Sequence, residues 1–335
     1  VSLAESVVDV TVLIVAYRSR RTLPKALAAL EHQTVSPRSV RILENGSPEG
    51  EGVEGAQVPA GYELLESPVN LGFAGGNNRL AEDASGEWLL LMNPDCYPEP
   101  DWLERLMQAA AAYPWASLFG STQYADGGEG HLDGLGDVYH HSGFFYRGGY
   151  GRVLPPPTDG EVFSPCGAAM MVRRSLFEGL GGFDADYFCY GEDVDLCFRA
   201  RLLGHRAVQV AGAVVVHEGS ASSSRYSDFA VYHGVRNRAW TFFKNMPWLL
   251  LLFSLPMHAA LTLAHGLVCA RRGQGRLYLR ALRDACRAWR NVRAKRRRIL
   301  SGRRVALGTL ARAMSWRPLD PIRRRPVIRE IPAGE

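Results

Sequence analysis

The stretch Glu87–Cys96, EWLLLMNPDC, decides how the rest of the chain is read. Trp88 to Met92 form an unbroken apolar run, with the length and composition of a strand buried on both faces, and the run stops at Asn93, Pro94 and Asp95. A parallel strand of this kind delivers Asp95 to the sheet edge where open α/β folds bind ligands. The expectation is that Asp95 anchors a metal-bound diphosphate.

Upstream, Val10 to Val15 (VTVLIV) reads as a buried strand and AYRSRR as a polar turn, after which Leu23, Leu27 and Leu30 recur at helical spacing. Val40 to Leu43 is a second strand, ending in Glu44, Asn45, Gly46 and Ser47. Tyr62 to Leu65 is a weaker third, followed by NLGFAGGNN and a helix through Leu80. Downstream, Pro98, Pro100 and Asp101 signal a helix over about Glu99 to Tyr113. Alternating strands and helices over the first ~115 residues predict a parallel sheet with helices on both faces and right-handed crossovers.

Between Gly120 and Pro165 the texture changes to glycine, proline and aromatics, which predicts long loops or a hairpin shaping a binding surface. Ala168 to Val172 then resumes a strand, Glu192 to Leu203 a helix, and Ala207 to Val216 a strand ending at His217.

At 335 residues and 47% apolar composition, the chain accommodates one large domain plus an appendage. Its six cysteines lack CxxC spacing and read as reduced thiols of a cytosolic protein. The net charge of +5 conceals a polarity: 20 of the 39 Lys and Arg, but only 4 of the 34 acids, lie from Arg271 onward. The acidic body argues against nucleic acid, and the basic end suits an anionic membrane surface. No secretory leader is expected, because Val7 to Ala16 has neither a basic region before it nor a small-residue cleavage site after it.

Pro247 to Ala270 is long enough to span a bilayer, yet Pro256, His258 and His265 interrupt it. In-plane or shallow insertion is the leading expectation, with a span and a buried helix as alternatives. Next, Tyr278, Leu282, Ala285, Trp289 and Val292 form an apolar stripe, and Arg276, Arg280, Arg283, Arg287 and Arg290 form a second stripe on the opposite face. Such a helix is expected to lie on anionic lipid, the alternative being a helix docked on the body. The division expected is therefore a catalytic domain over 1–245, membrane-associating helices over 246–300 and a flexible basic tail over 301–335.

Three polar clusters, Ala16 to Arg18, Glu44 to Ser47 and Asn93 to Asp95, should converge on one sheet edge, where a nucleotide finds polar groups for its base, amides for phosphate and a carboxylate for a divalent ion. The glycines of Asn70–Asn78 permit close backbone approach. His217 is the most attractive second metal ligand. Glu192, Asp193 and Asp195 open a helix beside a turn, where they serve as charge caps or, for one of them, as a general base.

These motifs, in this order, resemble the family 2 glycosyltransferases with a GT-A fold, especially the bacterial rhamnosyltransferase-like branch that extends lipid-linked sugars. The matching segments are VLIVAYRS (Val12–Ser19), ILENGS (Ile42–Ser47), NLGFAGGNN (Asn70–Asn78) and LLLMNPD (Leu89–Asp95). Further on, CGAAMMVRR (Cys166–Arg174), GGFDADYFCYGEDVDLCFR (Gly181–Arg199) and VVHEGSAS (Val215–Ser222) also match. The implied fold is α/β, a Rossmann-like, mostly parallel sheet flanked by helices, with a C-terminal helical membrane-associating extension.

The resemblance implies that Ala16, Tyr17, Arg18 and Glu44 hold the nucleoside, that Gly72 and Asn77 line the donor diphosphate or sugar, and that Asn45 and Asn93 complete the donor site. Gly167 and Glu192 would face the acceptor, and Asp95 with His217 would bind Mg2+ or Mn2+. Asp193 would deprotonate the acceptor hydroxyl for a single inverting displacement. The implied substrates are a nucleotide sugar, with dTDP-rhamnose the leading donor, and a lipid-linked or polysaccharide acceptor at the cytoplasmic face of the plasma membrane. Two departures stand out: Glu44 occupies a place where the family usually has Asp, and Cys96 one where many relatives have a second acid. The rival expectations are a sugar-phosphate nucleotidyltransferase, for which AYRSRR supplies little of a phosphate loop, and a non-catalytic membrane scaffold.

Overall fold

The computed structural model describes residues 6–128, 130–155, 157–219 and 226–332. The Ser220–Ser222 end of the VVHEGSAS motif lies outside them. Four strands, β1 (Val7–Ala16), β2 (Ser36–Asn45), β3 (Glu63–Ser67) and β4 (Trp88–Met92), pair in parallel in the order β3-β2-β1-β4. Helices α1 (Leu23–Glu31) and α2 (Gly72–Ala81) fall between them in sequence. Alternate side chains of the central strands enter opposite layers: Val12, Ile14, Leu90 and Met92 join one core with α1, while Leu13, Leu89 and Leu91 join the other with α2. Burial on both faces explains why Trp88–Met92 is apolar throughout.

The short β5 (Cys96–Pro98) and α3 (Trp102–Ala112) lead into β6 (Ala116–Ala125). The Gly120–Pro165 region, read as loops or a hairpin, contributes the end of β6, the short β7 (Leu132–Gly134), a hairpin of β8 (Asp137–Tyr139) with β9 (Phe145–Arg147), and β10 (Gly160–Val162). Then come β11 (Ala169–Arg173), α4 (Arg174–Gly179), α5 (Glu192–Leu202) and β12 (Arg206–His217). The sheet continues as β4-β11-β6-β12-β10, with β11 antiparallel to both neighbours and β12 parallel to β6. The sheet is thus mostly parallel, and the reversal at β11 lies beyond the reach of the βαβ pattern because no crossover helix precedes that strand.

The end of the chain departs most from its reading. Helix α6 (Asp228–Asn245) is followed by α7 (Trp248–Arg271), α8 (Gly275–Arg287), α9 (Trp289–Ser301), α10 (Leu307–Ala313) and α11 (Asp320–Arg323). The apolar stripe expected to face lipid is largely consumed inside the protein. Tyr278 and Ala281 pack with Val235 of α6, and Ala285 and Val292 with Trp240. Only Trp289, at the edge of that stripe, is largely exposed. Nor do residues 301–332 leave the body: Leu310, Ala313 and Met314 enter a core with Phe198 of α5 and Phe242 of α6, and Arg329 exchanges backbone hydrogen bonds with Glu161. Basic composition signalled a tail, but the i, i+3, i+4 spacing of Leu310, Ala313 and Met314 supplies an apolar face that covers α5.

Candidate active site

Because β1, β2 and β4 run parallel and in register, with Ala16 opposite Glu44 and Leu13 opposite Leu91, their carboxyl ends bring the three polar clusters to one edge. The Arg18 amide donates to Ser47 Oγ at 2.8 Å, joining the first two. Tyr17 is half-buried beside Arg18, whose backbone is left-handed (φ 56°).

Both oxygens of Glu44 are taken by its own loop, accepting from the amides of Ser47 (2.9 Å) and Val53 (2.7 Å). The longer side chain thus organises the wall of a cleft of about 350 Å3 bounded by Arg20, Ser47, Gly50 and Glu66. Asn45 Oδ1 accepts from the Leu71 amide at 2.9 Å, and its Nδ2 donates to Asn70 Oδ1 and to the Gly72 carbonyl. Gly72 is positive in φ (72°), and a Cβ there would lie 2.4 Å from the Phe188 carbonyl oxygen, so only glycine lets the Phe188–Gly191 turn close over α2. Asn77 is buried inside α2, its Nδ2 donating to the Phe73 carbonyl.

The remaining groups come from strands far apart in sequence. β5 runs antiparallel to β12 with His217 opposite Cys96, and this pairing brings His217 to Asp95. His217 Nε2 lies 3.3 Å from Asp95 Oδ1 and 3.4 Å from Asn93 Nδ2. Both Asp95 and His217 are buried. Burial pushes the His217 pKa down, but hydrogen bonds to Asp133 and Asp95 outweigh it and raise the value to about 9. The Cys96 sulfur lies within 4.8 Å of the Asp95 and His217 donor atoms, and its thiol donates to the Ala168 carbonyl at 3.3 Å. A carboxylate oxygen and an imidazole nitrogen 3.3 Å apart form a donor pair that fits Mn2+ or Mg2+.

On the other side of the site, Asp193 stands in the first turn of α5. Its Oδ2 accepts from the Gly167 amide at 2.9 Å and its Oδ1 from the Val194 amide at 2.8 Å. Burial raises its pKa, and the backbone amides pull the other way. Glu192 is buried with Oε2 unpartnered, and burial followed by the Asp193 charge raises its pKa well above normal. Asp195 serves structure, pairing with Arg199 (2.9 Å) and the buried Lys244 (2.9 Å).

Three functional candidates escape sequence reading: Asp133, Asp137 and Arg147. Asp133 Oδ2 accepts from His217 Nδ1 at 2.7 Å and from Arg147 Nη1. Asp137, opposite Arg147 in the β8–β9 hairpin, has a carboxylate oxygen within 4.8 Å of the Cys166 sulfur and of an Asp193 carboxylate oxygen, a potential ligand set. Burial, then the Asp193 charge, raises its pKa well above the carboxylate range. In a glycine-rich stretch these residues read as turn formers, and no spacing signal separates them from that role.

A family model described as Glycosyl transferase family 2 matches residues 11–181. A Mycobacterium tuberculosis N-acetylglucosaminyl-diphospho-decaprenol L-rhamnosyltransferase is 31% identical over 255 residues, 66% of this chain and 80% of that protein. Among solved structures, GalNAc-T7 with UDP, GalNAc and Mn2+ superposes with a TM-score of 0.56 at 14% identity over 71% of this chain and 48% of that one. Staphylococcus aureus TarS residues 1–349 with UDP gives a TM-score of 0.51 at 14% identity over 75% of this chain and 72% of that one. The sequence match and the structural superpositions lead to the same conclusion: the chain belongs to glycosyltransferase family 2 and has the GT-A fold.

Proposed function

We propose that this glycosyltransferase transfers rhamnose from dTDP-rhamnose, with inversion, to a lipid-linked acceptor carrying an N-acetylglucosaminyl diphosphate. The observation that carries the substrate choice is the 255-residue match to a rhamnosyltransferase with that acceptor in its name. The polar ends of β1 and β2 bind the nucleoside, and Asp95 and His217 are the residues that would hold Mg2+ or Mn2+. When bound, the metal neutralises charge that develops on the leaving group. Asp193, oriented by the amides of Gly167 and Val194, takes the proton from the acceptor hydroxyl. The freed oxygen pair forms the bond to the anomeric carbon as the bond to the diphosphate oxygen breaks, and the nucleoside diphosphate departs with those electrons. Gly167 lets its own backbone lie close against Asp193, because a Cβ there would meet Asp193 Oδ2 at 3.2 Å.

The enzyme works docked on the cytoplasmic face of the plasma membrane. Support comes from α7, 24 residues long with a mean hydropathy of 1.5. Its outer face exposes Trp248, Leu249, Phe253, Leu263 and Leu267, and exposed arginines of α8 and α9 stand near by in the chain. Its inner face is bound to the body through polar contacts, His258 to the Ser142 carbonyl (2.7 Å) and Tyr278 Oη to the Thr262 carbonyl (2.6 Å), which favours lying in the interface over crossing it.

The test is a donor panel of dTDP- and UDP-sugars with a synthetic prenyl-diphosphate-GlcNAc acceptor. Transfer from dTDP-rhamnose, abolished in Asp193→Asn with nucleotide binding retained, is the expected result. Turnover of that variant at the wild-type rate overturns the base assignment, and preference for another donor overturns the rhamnosyl assignment.

A further inference from the structure

Cys96, next to Asp95, is apolar core: its side chain is fully buried and donates to the Ala168 carbonyl. A carboxylate nevertheless reaches the metal side from elsewhere. β7 pairs with β6, which is parallel to β12, and this arrangement sets Asp133 behind the ring of His217. Asp133 Oδ2 sits 2.7 Å from His217 Nδ1, on the opposite side of the imidazole from Asp95, whose Oδ1 is 3.3 Å from Nε2. His217 and Asp133 are both buried, so the ring has little freedom to turn.

Building on the reading of Asp95 and His217 as the metal site, we propose that Asp133, itself held by Arg147, is the positioning residue that turns His217 into a ligand. An imidazole binds a metal through a bare nitrogen, and the acceptor on the other nitrogen decides which one stays bare. Asp133 can only accept at Nδ1, so Nδ1 keeps its proton, and Nε2, which faces Asp95 Oδ1 at 3.3 Å, is the nitrogen that would exchange its proton for a metal ion. Arg147 donates to the same Asp133 oxygen and fixes the carboxylate from behind. Arg147 is also the register partner of Asp137, whose carboxylate neighbours that of Asp193. The metal side and the base side of the site thus meet in one β8–β9 hairpin.

The test measures Mn2+ binding to the full chain, without sugar donor, by loss of the free-ion electron paramagnetic resonance signal. Asp133→Asn keeps the shape but offers its NH2 or its oxygen to Nδ1 with no fixed preference. It should weaken Mn2+ binding about 10- to 100-fold with an unchanged melting midpoint. Its apparent activation constant for Mn2+ should rise in parallel, and excess Mn2+ should restore kcat, which a structural defect would not allow. If Asp133→Asn leaves Arg147 unpaired and fails to fold, the neutral double variant D133N/R147Q removes both charges together and should show the same loss. His217→Ala serves as the reference. Weak binding in H217A with wild-type binding in D133N or in the double variant overturns the role of Asp133. Wild-type binding in H217A and in Asp95→Asn overturns the metal reading on which it rests.

Discussion

The Gly167 amide donates to Asp193 Oδ2 at 2.9 Å, and the two residues pack so closely that a Cβ on Gly167 would stand 3.2 Å from both Asp193 Cβ and Oδ2. A loop preceding β11 and the first turn of α5 therefore fix each other. Gly167→Ala should push the carboxylate out of line and lower kcat by about 10- to 100-fold. Nucleotide affinity should stay within about 3-fold of wild type, because the site at the ends of β1 and β2 is untouched. Steady-state kinetics alongside nucleotide titration separate the two; an unchanged kcat would show that the carboxylate tolerates the displacement.

Asn237 of α6 clamps the turn that leads into α5. Its Nδ2 lies 3.0, 2.8 and 2.7 Å from the carbonyls of Tyr187, Cys189 and Tyr190, and the side chain is fully buried. Phe188 (φ 65°) and Tyr190 (φ 70°) in that turn are left-handed without being glycine, a conformation that persists only when neighbours hold it. Asn237→Ala removes the buried amide that donates to these carbonyls. It should cost on the order of 2 kcal/mol of stability and lower kcat through movement of Asp193. Chemical denaturation and turnover measured on one preparation check both effects.

Acid should loosen α7. His258 stacks on Phe242 (ring centroids 4.0 Å apart), donates from Nδ1 to the Ser142 carbonyl, and lies near the Arg238 charge. Burial lowers its pKa to about 4, with the bond to Ser142 opposing and Arg238 assisting. The folded state keeps this imidazole neutral, whereas the unfolded chain protonates it near its ordinary value of about 6.5. Its stabilisation is complete above pH ~6.5 and is lost as pH falls toward ~4, a change on the order of 3 kcal/mol. Thermal midpoints between pH 7.5 and pH 4.5 should therefore fall, and less steeply in His258→Asn. An identical slope in that variant would assign the effect to His140, His233 and His265, which burial likewise brings to about 4.

Charge on the outer face of α7 should release the enzyme from lipid. Phe253 is 70% and Leu263 68% exposed, so Phe253→Glu with Leu263→Glu should leave the melting midpoint unchanged. Sedimentation with phosphatidylglycerol vesicles should drop at least about 10-fold, while transfer to a short-chain, soluble acceptor persists. Retained vesicle binding would point instead to the arginines of α8 and α9, and raising the salt concentration would then remove it.

The sequence by itself determined the local and the repeated. Apolar runs ending in polar clusters specify buried parallel strands, and parallel strands in register necessarily bring their carboxyl ends together, so Ala16, Glu44 and Asn93 to Asp95 were legible as one edge. Asp193 at the head of α5 and His217 at the end of β12 were legible for the same reason, a charged or coordinating group at the end of an element. Tertiary structure alone decided what stands behind them. Asp133, Asp137 and Arg147 sit in short strands whose pairing depends on β6 and on each other, contacts with no period along the chain. The apolar stripe of α8 shows the same limit: its amphipathicity was plain, but a stripe states only that something apolar covers it, and α6, packing Trp240 and Val235 there, rather than lipid, covers most of it. Periodicity records which face of an element is apolar, while the identity of its partner is a property of the whole packed chain.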